Sequence, residues 1–436
     1  MFSILLLFGC LLGVHGAAED YANNTVVQLF REYVQINTTT YNNMTPAVEF
    51  WTKLAESENL PISVLEFTEG FPVIVITWEG SNTNLSSIML NSHMDVVPAS
   101  YDDGWTYEPF EAVMDDNNDI YGRGTQDMKS VSIQYFEALR RLKANNVTLL
   151  RNVYMTLMPD EEVGAASGMI PFVQSDEFAA MNVGFEMDEG TSYPLSVIPV
   201  FYQDKAIWQF QVDCYGVAGH GSTFPVTNST ATGKCHNIVN AIFAYRDEQY
   251  AVSTKASVNN AGGYTSINLN ELSGGTAKNV IPGIISLTFD MRLSTSVSED
   301  NFEELVRLVW IAEGGDNVNI TYILKNEQTP ATVANSSNPY WTAISDAARS
   351  LNFTVLATSP PGSTDARHVR NAGVPAFGFS PMPNTPLLLH SVNERINVQT
   401  FLNGIDYYEA IIKNLANIPS EDVASTPSTY LYTTVV

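Results

Sequence analysis

The chain is short of positive charge: 21 Lys and Arg stand against 47 Asp and Glu, a formal net charge of −26. That balance excludes nucleic acid and anionic membrane surfaces as partners, because both are held by positive patches that displace counterions. An anionic substrate would also be repelled at long range, so a carboxylate must be caught by a locally placed Arg in a shielded cleft. Cysteine is scarce as well, with 3 residues in 436. Cys10 lies in an N-terminal apolar stretch, which leaves Cys214 and Cys235, too few to build a metal site alone. That pair either closes one disulfide in an oxidising compartment or forms two buried thiols. No apolar run reaches the roughly 18 to 20 residues that a membrane span needs. The run from Ile4 to Val14 has no acidic residue and is followed by the small pair Gly16-Ala17, which reads as a secretory signal over residues 1–16.

Secretion predicts glycan acceptors, and Asn-x-Ser/Thr occurs at Asn23, Asn37, Asn43, Asn84, Asn146, Asn228, Asn319, Asn335 and Asn352. The expectation is a secreted, N-glycosylated protein, with some of these triplets present by chance in an Asn- and Thr-rich chain. A hydrophobic content of 45% in 436 residues supports a sizeable core and suggests two domains. β-like runs at Ile62 to Phe67, Val73 to Trp78, Ser87 to Asn91, Val153 to Met158 and Val183 to Met187 alternate with helical stretches such as Val131 to Leu142. That alternation predicts an α/β mixed sheet with helices on both faces. From about Ala206 the order becomes strand Trp208 to Tyr215, helix Lys234 to Tyr250, strands Thr265 to Leu272 and Ile284 to Leu293, helix Asp300 to Glu313 and strand Val318 to Leu324. This βαββαβ order predicts an inserted ferredoxin-like domain over 204–325, interrupting a catalytic domain at 17–203 and 326–418. A Ser/Thr-rich tail, 419–436, follows.

Chemistry-bearing residues follow apolar strands, where α/β sheets expose functional groups at their carboxyl ends. In Ser-His93-Met-Asp95 the two side chains share one side of an extended segment, so one can bind a metal while the other holds its imidazole. Gly122-Arg-Gly-Thr-Gln-Asp127 leads into a helix, and Asp127 alone would read as a cap or first-turn dipole partner. In Pro-Asp-Glu161-Glu162-Val-Gly adjacent carboxylates face opposite ways, one towards a metal and one towards a substrate, unless the segment is an ordinary acidic turn. Met187-Asp-Glu189-Gly and Leu389-His390-Ser-Val-Asn-Glu394 complete the set; each is weak alone, as a turn and as a core histidine.

Taken in order, LNSHMDVVP, YGRGTQDMKSVSIQY, PDEEVG, MDEG, KNVIPG and FGFSPMPNTPLLLH resemble the aminoacylase and glutamate-carboxypeptidase family of di-zinc metallopeptidases, most closely its aminoacylase I members, from about Val26 to Leu415. The resemblance implies a metal-dependent amidohydrolase releasing a carboxylic acid and a free amino acid from N-acyl-L-amino acids. It implies one zinc on His93, Asp127 and Glu189, a second on Asp127, Glu162 and His390, and Asp127 bridging them. The nitrogen and oxygen donors would also admit cobalt or manganese. Water held between two such ions ionises near neutral pH, and Glu161 would act as general base, with Asp95 supporting His93. The resemblance further implies a homodimer built through the inserted lid domain. His220 would reach the partner's active site to stabilise the oxyanion with Asn279, although Ala218 stands where relatives often carry Pro. Arg367 of Thr364-Asp-Ala-Arg367 would clamp the substrate carboxylate. Arg292 would either help bind substrate or simply pair with a core carboxylate. Secretion suggests extracellular substrates such as long-chain fatty acyl amino acids. The rivals are a dipeptidase or carboxypeptidase of the same family, and a binding protein on an inactive scaffold, which would lack a ligand or the base.

Overall fold

A computed structural model describes residues 21–256 and 262–419. The expected signal, residues 1–16, and all but the first residue of the tail lie outside the described residues. Among the described residues, no helix is long and apolar enough to cross a membrane.

The larger sheet has eight strands, in the spatial order Ile62–Glu66, Pro72–Trp78, Val153–Met158, Ser87–His93, Val183–Asp188, Ala376–Phe379, Val197–Phe201 and Thr354–Thr358. It is a mixed sheet, parallel around Ser87–His93 and antiparallel at its first two pairings. Side chains alternate across such a sheet, and both faces are covered, so the central strands are apolar at almost every position. Ile74, Ile76, Ile88 and Leu90 pack on one face with Phe30, Phe136, Phe401 and Ile405. Val73, Val75 and Met89 pack on the other with Phe172, Phe178 and Val369. The helices on the first face are Thr25–Gln35, Thr45–Ser57, Lys129–Ala144, Pro339–Ser350 and Val398–Leu415; those on the second are Met169–Val173, Asp176–Met181 and Ala366–Asn371. The first two helices, the three short helices of the second face and strand Val197–Phe201 lie outside the elements expected from the sequence.

A second core, made only of residues between Ala206 and Tyr322, lies under a four-stranded antiparallel sheet. Its strand order is Ser266–Gly274, Ile284–Arg292, Ile207–Tyr215 and Val318–Lys325. Along Ile207–Tyr215 the even residues Trp208, Phe210, Val212 and Cys214 point inward, while Gln209, Gln211 and Asp213 face out. Helix Ala231–Ser253 packs on this face through Cys235, Ile238 and Ile242, and Cys214 and Cys235 are joined as a disulfide with Cα atoms 5.9 Å apart. The single helix expected at Asp300 to Glu313 is instead an α-turn, Glu299–Glu304, followed by a π-turn, Leu305–Trp310, and a 3₁₀ turn, Ile311–Gly314. The buried residues Phe302, Val306 and Trp310 recur every four positions, more than the 3.6 of an α-turn. The widened π-turn keeps Trp310 over the core, edge-on to Phe302 at 5.6 Å. Where the chain enters this second unit, Asp204 is buried in an ion pair with Arg370, which also donates to the carbonyls of Phe201 and Ala376.

Candidate metal centre

Three neighbouring parallel strands end at one edge of the larger sheet. His93 is in register with Met158, so the Glu161-Glu162 turn begins just past the same level. Leu90 is in register with Met187, which brings Glu189 beside Ser92, next to His93. The sequence order of three motifs thereby becomes a spatial row. Asp127 arrives from the loop before helix Lys129–Ala144, and His390 from the chain after Phe379.

His93 Nε2 lies 3.1 Å from Asp127 Oδ1 and 3.6 Å from Glu189 Oε2. His390 Nε2 lies 3.0 Å from Asp127 Oδ2 and 3.0 Å from Glu162 Oε2. The two oxygens of Asp127 thus face two separate donor sets, each with one imidazole and one further carboxylate. Asp127 does not cap the following helix, which begins after Met128 with no side-chain cap, so its carboxylate is spent on the two histidines. Glu161 comes within ligand distance of His93 and Glu189, with donor atoms within 4.8 Å of one another.

Asp95 holds the His93 imidazole, chiefly through its backbone, and its carboxylate has a second use. His93 Nδ1 donates to the backbone carbonyl of Asp95 at 2.8 Å, whereas the Asp95 carboxylate is 3.5 Å away. That carboxylate instead accepts the backbone N–H groups of Glu161 (3.1 Å) and Glu162 (3.3 Å) and the Thr40 hydroxyl (2.9 Å). It therefore anchors the turn that presents the acidic pair, because two successive N–H groups are satisfied by one anion.

Four carboxylates and two imidazoles meet here in a partly or fully buried space. Burial pushes the Glu161, Glu162 and Glu189 carboxyls up, and the charges of neighbouring carboxylates push the same way. Burial would raise Asp127 too, but hydrogen bonds from His390 and His93 outweigh it and hold that carboxyl well below the usual range. Hydrogen bonds to Asp127 and Glu162 raise His390 to about 10. His93 is held well above the usual histidine value: burial opposes its charge, and Glu189 and Asp127 outweigh burial. Glu162 Oε1 is buried with no hydrogen-bond partner among the described residues. Unmatched buried anions are costly, and nitrogen and oxygen donors in two groups sharing one carboxylate fit a pair of divalent cations.

Arg367 lies close by. Asp188, next to Glu189, accepts from the Thr364 hydroxyl (2.9 Å) and the Ala366 N–H (2.7 Å), which ties the Arg367 segment to the same sheet edge. Arg367 Nε donates to His368 Nε2 at 2.9 Å and Nη1 to Ser363 Oγ at 2.9 Å. His368 is held neutral, at about 3, by burial and then by the Arg367 charge, so its ring can accept. Between them Asp365 is buried with both carboxylate oxygens unpartnered among the described residues. Sequence reasoning passed over Asp365 and His368, because an Asp ahead of a short helix ordinarily reads as a cap.

The remaining expected substrate-side residues lie outside the metal cluster of their own chain. His220 and Asn279 are exposed on the four-stranded unit, joined across a two-residue ladder in which the Gly221 N–H donates to the Asn279 carbonyl at 2.6 Å. His220 Nδ1 lies 2.7 Å from Ser222 Oγ, and among the described residues neither side chain joins the metal cluster of its own chain. Arg292 Nε donates to Asp290 Oδ1 at 3.1 Å, a carboxylate pairing as in its alternative reading, although Asp290 is partly exposed and not a core residue.

The family model for peptidase family M20/M25/M40 matches residues 89–414, from the strand that carries His93 to the last helix. Aminoacylase-1 of Homo sapiens is 41% identical over 93% of this chain and 98% of its own. An M20 family metallo-carboxypeptidase from Sulfolobus solfataricus superposes with a TM-score of 0.68 at 18% identity, covering 91% of this chain and 100% of that one. A Bacillus subtilis protein described as a dinuclear metal binding peptidase from the M20 family superposes with a TM-score of 0.65 at 13% identity, covering 89% and 97%. With a sheet whose parallel strand ends gather the His and carboxylate donors, and with relatives matched over nearly their whole length, the chain belongs to peptidase family M20/M25/M40.

Proposed function

We propose that this chain is a secreted, zinc-dependent aminoacylase that hydrolyses N-acyl-L-amino acids. The observation that carries the proposal is the split of Asp127 between two donor sets, with Glu161 beside them. The near full-length likeness to Aminoacylase-1 supports the choice of reaction.

His93, Asp127 and Glu189 would hold one ion, and Asp127, Glu162 and His390 the other. Bound there, the ions supply Lewis acidity, which makes water acidic enough to act near neutral pH and polarises the amide carbonyl. Glu161 takes one proton from the attacking water as its oxygen bonds to the carbonyl carbon. It then returns that proton to the amide nitrogen as the C–N bond breaks. A carboxylate whose pKa is lifted by burial suits both directions of that transfer. Asp95 holds the Glu161-Glu162 turn through two backbone N–H groups. Arg367, fixed by Ser363 and His368, has further guanidinium N–H groups with no partner among the described residues, which would take the substrate carboxylate.

His220 of the partner subunit would stabilise the oxyanion, with Asn279 beside it. Its exposure supports this, as do exposed Phe243 and Tyr250, which share one side of helix Ala231–Ser253 and suit an interface between two copies. For the acyl side, half-exposed Val163 follows Glu162 and exposed Leu387 precedes His390, apolar surface that suits a fatty acyl chain. Secretion is supported by the Cys214–Cys235 pairing and by exposure of the acceptor Asn in all nine glycosylation triplets.

Purified protein should be assayed on N-acetyl, N-lauroyl and dipeptide substrates before and after chelation. Chelator-sensitive release of free amino acid, fastest from acylated substrates, is expected. Equal rates on simple dipeptides would displace this reading in favour of a dipeptidase.

A further inference from the structure

The half of the centre built on His390 is not held by regular secondary structure. His390 lies in irregular chain between strand Ala376–Phe379 and the short strand Arg395–Asn397, its side chain is 51% exposed and its φ is +57°. A left-handed conformation at a residue other than glycine is unfavourable by about 1–2 kcal/mol, so surrounding contacts must enforce it. His93, in contrast, is buried at a strand end within the sheet.

We propose that Gln126 and Glu394 are positioning residues that lock the His390 loop onto the Asp127 turn, and so set the ion site formed by Asp127, Glu162 and His390. Gln126 is buried, and its amide uses all four of its hydrogen-bonding positions. Nε2 donates to the carbonyls of Pro386 (3.0 Å) and Arg395 (2.8 Å), which bracket the loop on either side of His390. Oε1 accepts from the Leu388 N–H (3.0 Å) and the Ser192 hydroxyl (2.9 Å). The turn therefore grips the loop through a residue adjacent to the shared ligand.

Glu394 grips in the opposite direction. Fully buried, it accepts the backbone N–H groups of Gly124 (3.1 Å), Gln126 (2.7 Å) and Asp127 (3.2 Å), and Arg123 Nη1 at 2.7 Å. Arg123 passes the hold on: Nη2 donates to the His390 carbonyl at 3.2 Å, and its guanidinium lies over the Trp105 ring at 5.3 Å. Two reciprocal clamps thus join the segments that supply Asp127 and His390. Asp127 serves both ions, but the loop that the clamps hold carries His390, a ligand of one ion only, whereas the imidazole of the other is held by the Asp95 carbonyl. Loss of either clamp should therefore affect the two ions unequally.

This inference rests on the two-ion reading of the centre, and the test separates the two. Metal-free protein is titrated with zinc by calorimetry and with cobalt by its absorption spectrum, for the wild type, His390→Ala, Gln126→Met and Glu394→Gln. Wild type should take up two ions and His390→Ala should lose one; a wild type that never takes up two ions sinks the metal reading itself. Removing residues that orient metal ligands weakens binding by roughly 10- to 100-fold. Gln126→Met keeps the side-chain length and loses every side-chain hydrogen bond, and Glu394→Gln keeps the shape and loses the anion. Each should weaken one equivalent by roughly that factor and leave the other within about threefold. Because either variant could fold poorly, the pair is read together with far-ultraviolet circular dichroism, and a single folded variant suffices. Two equivalents that weaken alike, or two unchanged equivalents while His390→Ala still removes one, would overturn the proposal.

Discussion

Glu161→Gln separates a proton carrier from a metal ligand at one position. The turn that carries Glu161 is held through its own backbone, by the N–H bonds of Glu161 and Glu162 to Asp95 and by the Gly164 N–H donating to the Glu161 carbonyl at 2.9 Å. The substitution should therefore leave the turn in place, with volume almost unchanged. What it removes is the acceptor for the proton of the attacking water. General-base catalysis by a positioned carboxylate contributes roughly 100- to 10,000-fold, which is about 3–5 kcal/mol of barrier at 1.36 kcal/mol per tenfold. We expect kcat to fall by that factor on an N-acyl amino acid, KM to change by less than about threefold, and two ions per chain to remain. The assay is steady-state kinetics paired with elemental analysis of the same preparation. Because Glu161 lies within ligand distance of His93 and Glu189, the alternative outcome is specific. A drop to one ion would make Glu161 a ligand, and kcat within tenfold of the wild type would remove it from the chemistry; either refutes the base assignment.

In the metal-free protein His390 is raised to about 10 by Asp127 and Glu162. Its ion-pair contribution is full below the ordinary value near 6.5 and is lost as pH rises through about 10. A metal needs the neutral ring, so loading at about pH 7.5 should release protons, seen in calorimetry across buffers of different ionisation enthalpy, and affinity should climb between about pH 7 and 10; a flat affinity would contradict this. Arg367→Lys keeps the charge but loses the fork, and should raise KM about 10- to 100-fold with kcat little changed, whereas a fall in kcat alone would argue against carboxylate binding. Replacing Cys214 and Cys235 together by Ser opens a cross-link over a separation of 21 residues. The chain-entropy relation gives a loss of about 3 kcal/mol, to be read by thermal unfolding, and an unchanged midpoint would mean the bond does not form. His220→Ala and Glu161→Gln chains, each inactive alone, should regain about a quarter of wild-type activity when mixed in equal amounts, since mixed dimers keep one intact site; no recovery would place His220 outside the partner's site.

Much of the larger sheet is legible because its strands are buried on both faces: Val73-Ile74-Val75-Ile76 is apolar throughout, with alternate residues serving opposite cores. The four-stranded unit is legible for the complementary reason, the alternation of Trp208, Phe210 and Val212 with Gln209 and Gln211. Helix Thr25–Gln35, outside the expected elements, carries its signal in the helical spacing of its buried face, Val27, Phe30, Tyr33 and Val34. The break of the expected helix at Leu305–Trp310 had no local signal, because only the packing of Trp310 against Phe302 requires the wider turn.

The sequence alone determined which side chains were available for chemistry. His and carboxylate donors in a fixed order after apolar strands, one Arg beside an Asp, and two cysteines were all readable from residue type and spacing. Only the tertiary structure decided what each is spent on. Asp127 faces two histidines rather than its own helix, the Asp95 carboxylate holds a backbone turn while its carbonyl holds His93, and Arg292 is paired with Asp290. Gln126, unremarkable in sequence, joins loops far apart along the chain. The reason is physical: a donor's role depends on which atom lies within about 3 Å of it. At this site those neighbours come from segments brought together by strand register and loop packing, which no local pattern encodes.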